Sequence, residues 1–278
     1  MSLFIFLVVL CAAFLHALWN GLVRIGASRV HVMMVLSAVQ GAIGLVIALS
    51  RPLPAPEVLP WLIASGLVHS AYKCFLTFAY EHGDLSRVYP LARGTAPMIV
   101  LAAGVALLGE VLDPAEVAGI LILGLGIVLL AAGVFRDGES IRLLPYAFGA
   151  AAATAGYSII DGLGARVAGD PAAFVGWMFV LDGVIFAAVM TGLRGTGAWP
   201  SLPRVWVLGG AGAAASYASY AIVVWAMTLA PIALVAALRE TSIVFGVLIG
   251  WLVFGERMTR LKALAAVLIA AGVVVTRL

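Results

Sequence analysis

Apolar runs of about twenty residues follow one another along almost the whole chain, each closed by a charged residue or by proline and glycine. Read between those breaks, the first half predicts helices over 3–22, 30–50, 58–80, 86–108 and 115–135. The second half predicts helices over 143–165, 172–193, 205–229, 232–254 and 261–276. About 20 mostly apolar residues wound as a helix cross the ~30 Å hydrocarbon layer of a bilayer. The connections are short, with Arg51-Pro52-Leu53-Pro54 and Trp199-Pro200-Ser201-Leu202-Pro203 the clearest breaks, so no soluble domain fits between the spans. The fold expected is all-α and integral to the membrane, with ten transmembrane helices.

Composition strengthens that reading. Of 278 residues, 64% are hydrophobic and only 10% are charged, and the mean hydropathy is +1.16. A soluble domain of this length could not hide so much apolar surface. The net charge of +3 comes from basic residues scattered singly at segment ends, with no run to track a phosphate backbone, so nucleic acid is not an expected partner. The expected surroundings are the lipid bilayer, with the chain acting as a monomer. Arginine far outnumbers lysine, and Ala, Gly and Leu dominate, a composition that suggests a bacterial inner membrane. Cys11 and Cys74 fall inside apolar segments and read as two small core residues, with no metal-ligand spacing around them. The first apolar run lacks a basic leader and an A-x-A site, and is expected to stay as the first helix. No cofactor, metal or catalytic residue is predicted, and no phosphate-binding G-x-x-x-x-G-K-[ST] loop occurs.

The two halves repeat. Arg93-Gly94-Thr95 aligns with Arg239-Glu240-Thr241, Gly109-Glu110 with Gly255-Glu256, and Ser70 with Ser216, all at one constant offset. Residues 16–22 align with 157–163 at a slightly smaller offset, the difference taken up by one longer loop. Two units are expected, 1–138 and 139–278. Five helices is an odd number, so the second unit enters the membrane from the opposite side, making an inverted repeat around a central cavity, the geometry of alternating access. Loops after the odd-numbered helices hold most Lys and Arg, among them Arg24, Arg87, Arg136, Arg194, Arg204 and Lys262, against Arg51, Arg166 and Arg277 on the other side. The positive-inside rule then makes both termini periplasmic.

An ionisable group in hydrocarbon is costly, so each one inside a span is a functional candidate. Six qualify: Lys73, Arg93, Arg239, Asp161, Asp182 and Glu240. Three bases against three acids could form an ion-pair network, or could meet both ends of a zwitterion. Helical spacing adds neighbours. His16 and Asn20 share a face of helix 1; His69, Tyr72, Lys73 and Tyr80 form a stripe on helix 3; Tyr89 and Arg93 pair on helix 4. In the second half Tyr157 pairs with Asp161, Ser216 and Ser219 with Tyr220, and Arg239 adjoins Glu240. Turned inward together, these faces would line an aromatic cavity with a few charged and hydrogen-bonding groups, as an organic-solute site requires. Helices 2, 5 and 10 carry almost nothing polar; helix 5, with Gly119, Gly124, Gly126 and Gly133, and helix 10, with Gly272, read as packing scaffolds whose small residues let neighbouring backbones approach. Trp61, Trp199 and Trp206 read as interfacial anchors. Pro90, Pro97 and Pro231 can bend or start helices 4 and 9.

His16-Ala17-Leu18-Trp19-Asn20-Gly21, the stretch Tyr89-Pro90-Leu91-Ala92-Arg93-Gly94-Thr95-Ala96-Pro97 and the two Gly-Glu helix ends resemble the EamA-type members of the drug/metabolite transporter superfamily. The resemblance spans the chain and is nearest to the YddG-like exporters of aromatic and broad-range amino acids. It implies a ten-helix fold with a cavity lined by helices 1, 3, 4, 6, 8 and 9, and termini in the cytoplasm, opposite to the charge count. The function expected is a secondary transporter exporting amino acids by alternating access. The substrate-binding residues expected are His16, Asn20, His69, Tyr72, Lys73, Tyr80, Tyr89, Arg93, Tyr157, Asp161, Ser216, Tyr220, Arg239 and Glu240. Two alternatives stay open: a carrier of nucleotide sugars, phosphorylated metabolites or lipid head groups, which would lean on Arg93 and Arg239, and an intramembrane enzyme using Asp161 and Asp182.

Overall fold

A computed structural model describes residues 1–24, 29–82, 96–132 and 144–278. The described residues are helical almost throughout: α1 (Leu3–Arg24), α2 (Arg29–Leu49), α3 (Leu59–His82), α4 (Ala96–Ala106), α5 (Pro114–Ala132) and α6 (Leu144–Ala168). Then come α7 (Pro171–Arg194), α8 (Pro203–Met227), α9 (Ile232–Arg239), α10 (Ser242–Leu252) and α11 (Arg260–Val275). Among the described residues, six segments are long and apolar enough to cross a membrane: α1, α2, α3, α7, α8, and α9 with α10 taken as one. α6 has the length, at 25 residues, but Tyr157, Ser158, Asp161 and its run of Ala and Gly make it less apolar.

Local chemistry sets the helix ends. Proline opens α5, α7 and α8, where its missing N–H has no helical partner to lose. Asp170 caps α7 by accepting from the amides of Ala172 and Ala173 at 3.0 and 3.1 Å, and Thr259 caps α11 through Lys262 N–H at 3.2 Å.

The packing is inside out relative to a soluble protein. Leu7, Leu45, Val46, Leu67, Leu121, Leu125, Val184, Val207, Leu248 and Val267 are exposed, while Ser37, Gln40, His69, Lys73, Asp161, Asp182, Arg239 and Glu240 are buried. In lipid, burial of apolar surface does not drive helices together, so close packing and hydrogen bonds must. Two helix pairs show how closely backbones approach. On α2 and α7, a Cβ on Gly44 would sit 2.5 Å from the carbonyl oxygen of Gly176, and one on Gly176 would sit 2.9 Å from that of Gly44. On α5 and α11, Gly119 and Gly272 stand in the same mutual relation, each 2.6 Å from the other's carbonyl oxygen. The close backbone approach expected at the glycines of helices 5 and 10 is seen at Gly119, Gly126 and Gly272, whereas Gly124 faces the Met98 side chain and Gly133 lies outside the described residues.

Contacts between helix ends separate two faces. Arg51 meets Asp170 at 3.3 Å, Arg166 donates to the carbonyls of Met227 and Ala230, and Arg277 donates to that of Met1 at 2.7 Å. This is the terminal face. On the opposite face, His31 Nε2 lies 3.0 Å from the carbonyl oxygen of Gly197, Lys262 meets Glu256 at 2.9 Å, and Trp199 stacks on Trp206. Both tryptophans also donate their indole N–H, Trp199 to Thr191 and Trp206 to the Pro200 carbonyl, as side chains with one apolar and one polar end do at an interface.

Three expectations need correction. The span 232–254 is not one helix: it breaks at Glu240 and Thr241 into α9 and α10. Glu240 and Thr241 donate to residues three back, Ala237 and Leu238, and the Thr241 hydroxyl also donates to the Leu238 carbonyl. This tight turn halts the α-helical register without proline or glycine. Helix 2, expected to carry almost nothing polar, places Ser37 and Gln40 fully inside the bundle. Cys11 is exposed on the outer surface of α1 and Cys74 is half-buried, so Cys11 is not a core residue.

Candidate substrate site

Four helices bring their polar residues together because each has one polar stripe and no water outside to receive it. α3 supplies His69, Ser70 and Lys73, on one side of the helix by their spacing. His69 and Lys73 turn to different acids. Lys73 Nζ donates to Asp182 Oδ2 on α7, to Ser37 Oγ at 2.8 Å and to Gln40 Oε1 at 3.3 Å on α2. Ser70 Oγ donates to Asp182 Oδ1 at 3.2 Å, and Gln40 Nε2 donates to Ser216 Oγ on α8 at 3.0 Å. Both oxygens of Asp182 and all three ammonium protons thus have acceptors or donors in place, and this cluster is closed.

The second cluster is differently built. Asp161 on α6 is fully buried, and its Oδ2 takes bonds from His69 Nε2 at 2.8 Å and from the Tyr220 hydroxyl. Its Oδ1 has no hydrogen-bond partner among the described residues. Around it stand rings: His69 stacks on Tyr157 with centroids 4.1 Å apart, and Tyr72 and Tyr220 meet Tyr157 edge-on at 5.6 and 5.8 Å. Phe179 and Tyr217 extend this wall. From the broken span, Arg239 lies over the face of Tyr157 at 5.6 Å and 3.5 Å from Glu240. The break suits the two charges: Arg239 ends α9, where the helix dipole is negative, and Glu240 precedes α10, where it is positive.

Of the predicted site residues, His69, Tyr72, Tyr157, Asp161, Tyr220, Arg239 and Glu240 therefore gather around one aromatic centre. Lys73 and Ser216 adjoin it in the closed cluster. His16 and Asn20 hydrogen-bond within α1, Trp19 donating to His16 Nδ1 at 3.3 Å and Asn20 to the His16 carbonyl at 2.7 Å. Tyr89 and Arg93 lie outside the described residues, and Tyr80 is placed only by its position on α3. Sequence reasoning missed Ser37, Gln40, Phe179 and Tyr217. Gln40 carried a signal, being one of few amides inside a span; Phe179 and Tyr217 carried none, because an aromatic residue in an apolar run reads equally as core.

Comparison with known proteins gives three findings. The model of the EamA-like transporter family matches residues 3–132 and again 142–278. A solved crystal structure of a protein is similar over 99% of this chain and 98% of its own, at 23% identity and a TM-score of 0.76, a likeness of fold. None of the curated proteins matches the sequence.

Proposed function

The chain belongs to the EamA-like transporter family, and on that premise we propose that it exports amino acids, aromatic and neutral ones foremost, across a bacterial inner membrane by alternating access. In this reading ten spans form two inverted five-helix units, 1–138 and 139–278, with the substrate between them. Support for the repeat lies in its turns: Gly109 and Gly255 share a positive φ of 62° and 66°, and the amides of Glu110 and Glu256 donate to the carbonyls of Gly104 and Gly250 at 2.9 and 3.0 Å. α4 and α10 also fall at the same offset as these pairs.

One observation carries the substrate class. A buried carboxylate with one oxygen held by His69 and Tyr220, and the other without a hydrogen-bond partner among the described residues and set beside aromatic rings, suits an ammonium group attached to an apolar or aromatic side chain. Asp161 would take the ammonium, Arg239 the carboxylate, and Tyr72, Tyr157 and Phe179 the side chain. A phosphorylated ligand fits less well, since Lys73 is committed to Asp182 and Asp161 would repel it.

The test is uptake of labelled phenylalanine, threonine and methionine into liposomes holding the purified protein, with and without a pH gradient. Saturable uptake above that of empty liposomes is expected. Asp161→Asn removes the charge but not the shape, and should lower uptake about 10- to 100-fold, the worth of one charge-assisted hydrogen bond. Wild-type uptake in that variant would remove Asp161 from the site, and no uptake of any amino acid would overturn the substrate class.

A further inference from the structure

The Gly-Glu turn after α4 has a partner that the substrate reading does not use. Gly109 takes a left-handed conformation, which folds the chain back so that Glu110 lies against α4 at Gly104; a Cβ there would stand 2.8 Å from Glu110 Oε2. Held in that notch, the carboxylate accepts from the amides of Ile232 at 2.5 Å and Ala233 at 3.1 Å. These are the first residues of α9, whose opening amides have no partner within the helix and carry its positive dipole end. Arg166 completes the joint. It lies 3.7 Å from Glu110 and donates to the carbonyls of Met227 at 2.9 Å and Ala230 at 3.0 Å, just before α9 begins. The Glu110 side chain is 7% exposed.

We propose that Glu110 is a positioning residue that latches the terminal face shut: docked on the start of α9 it holds α4 against α6 and α9, and its release lets that face open. The contact links residues from opposite halves of the chain, so rocking one half against the other must break it. It is made only of groups that water can serve equally well, a carboxylate, a guanidinium and helix-end amides, so it closes firmly yet opens at small cost. α9 is eight residues long, about 12 Å, and its far end carries Arg239 into the aromatic centre. A shift at Ile232 therefore reaches the substrate site through one rigid helix. This inference rests on the alternating-access reading proposed above, but not on which solute is carried.

The experiment measures the terminal face directly. Spin labels go on Val111→Cys and Leu229→Cys, both exposed on that face, in protein whose Cys11 and Cys74 are replaced by alanine, and the inter-label distance is recorded in lipid. Glu110→Ala is expected to add a component longer by several ångström, and Glu110→Gln, which keeps one acceptor, a smaller one. Arg166→Ala should act in the same direction, and the double variant should go no further than the larger single effect, as members of one latch behave. Glu116→Ala is the control, on the same face but bonded to the Asp113 amide; it should leave the distance unchanged. A Glu110→Ala distribution superposing on the parent's, or one that Glu116→Ala reproduces, would overturn the proposal. If Glu110→Ala does not fold, Glu110→Gln carries the same comparison with the same two readings.

Discussion

His69 and Lys73 stand one turn apart on α3, and their different partners assign them different work. Lys73 has Ser37, Gln40 and Asp182 around its ammonium, so nothing of its charge is left for a solute. Removing one member of a buried ion pair leaves the other uncompensated and costs about 3–5 kcal/mol, whereas replacing both by apolar groups of similar size can be neutral. Lys73→Met is therefore expected to lower the melting temperature of the detergent-solubilised protein sharply, and Lys73→Met with Asp182→Leu to recover much of the loss. A double variant no more stable than the single would show that the pair does more than cancel charge. The candidate charges were readable from the sequence because hydrocarbon makes each conspicuous; their pairing was not, since Asp161 and Asp182 are equally plausible partners until α6 and α7 are placed around α3.

At the scale of elements, most spans were legible because lipid demands long apolar helices and little else satisfies the backbone there. The break between α9 and α10 escaped for a physical reason: Arg239, Glu240 and Thr241 all tolerate helix, and only their buried surroundings make a tight turn the better place for opposite charges. Close helix pairs were partly legible, since glycine in a span signals approach but not with which neighbour. Gly44 illustrates the stake. A methyl group there would fall 2.5 Å from the Gly176 carbonyl oxygen, a backbone atom that cannot swing aside, with Phe179 Cβ at 3.3 Å. Gly44→Val should thus push α2 from α7 and cost about 1–3 kcal/mol or more, read as a lower melting temperature. Gly210→Val, where nothing lies within 4 Å, should leave it nearly unchanged. Equal effects would mean that helix propensity, not the α2–α7 crossing, sets the cost.

For the whole molecule, the end contacts constrain topology more firmly than charge counting does. Each joins ends of one parity: Arg51 with Asp170, Arg166 with the turn before α9, Arg277 with Met1, and on the other face His31 with Gly197 and Lys262 with Glu256. A chain that crossed an odd number of times could not bring Arg277 within 2.7 Å of the Met1 carbonyl. Both termini are therefore expected on one side, together with Leu53, and Thr196 on the other. Reporter fusions in cells check this: green fluorescent protein, which shines only in the cytoplasm, and alkaline phosphatase, active only outside it, should place the two termini on the same side and Thr196 on the opposite one. Disagreement between the termini would rule out an even number of crossings. The side they share also decides between the two readings of sidedness: dark fluorescence and active phosphatase go with the arginines of the opposite face being cytoplasmic, and bright fluorescence goes with the family resemblance. In the second case the latch at Glu110 would guard the cytoplasmic entrance, the face from which an exporter must load.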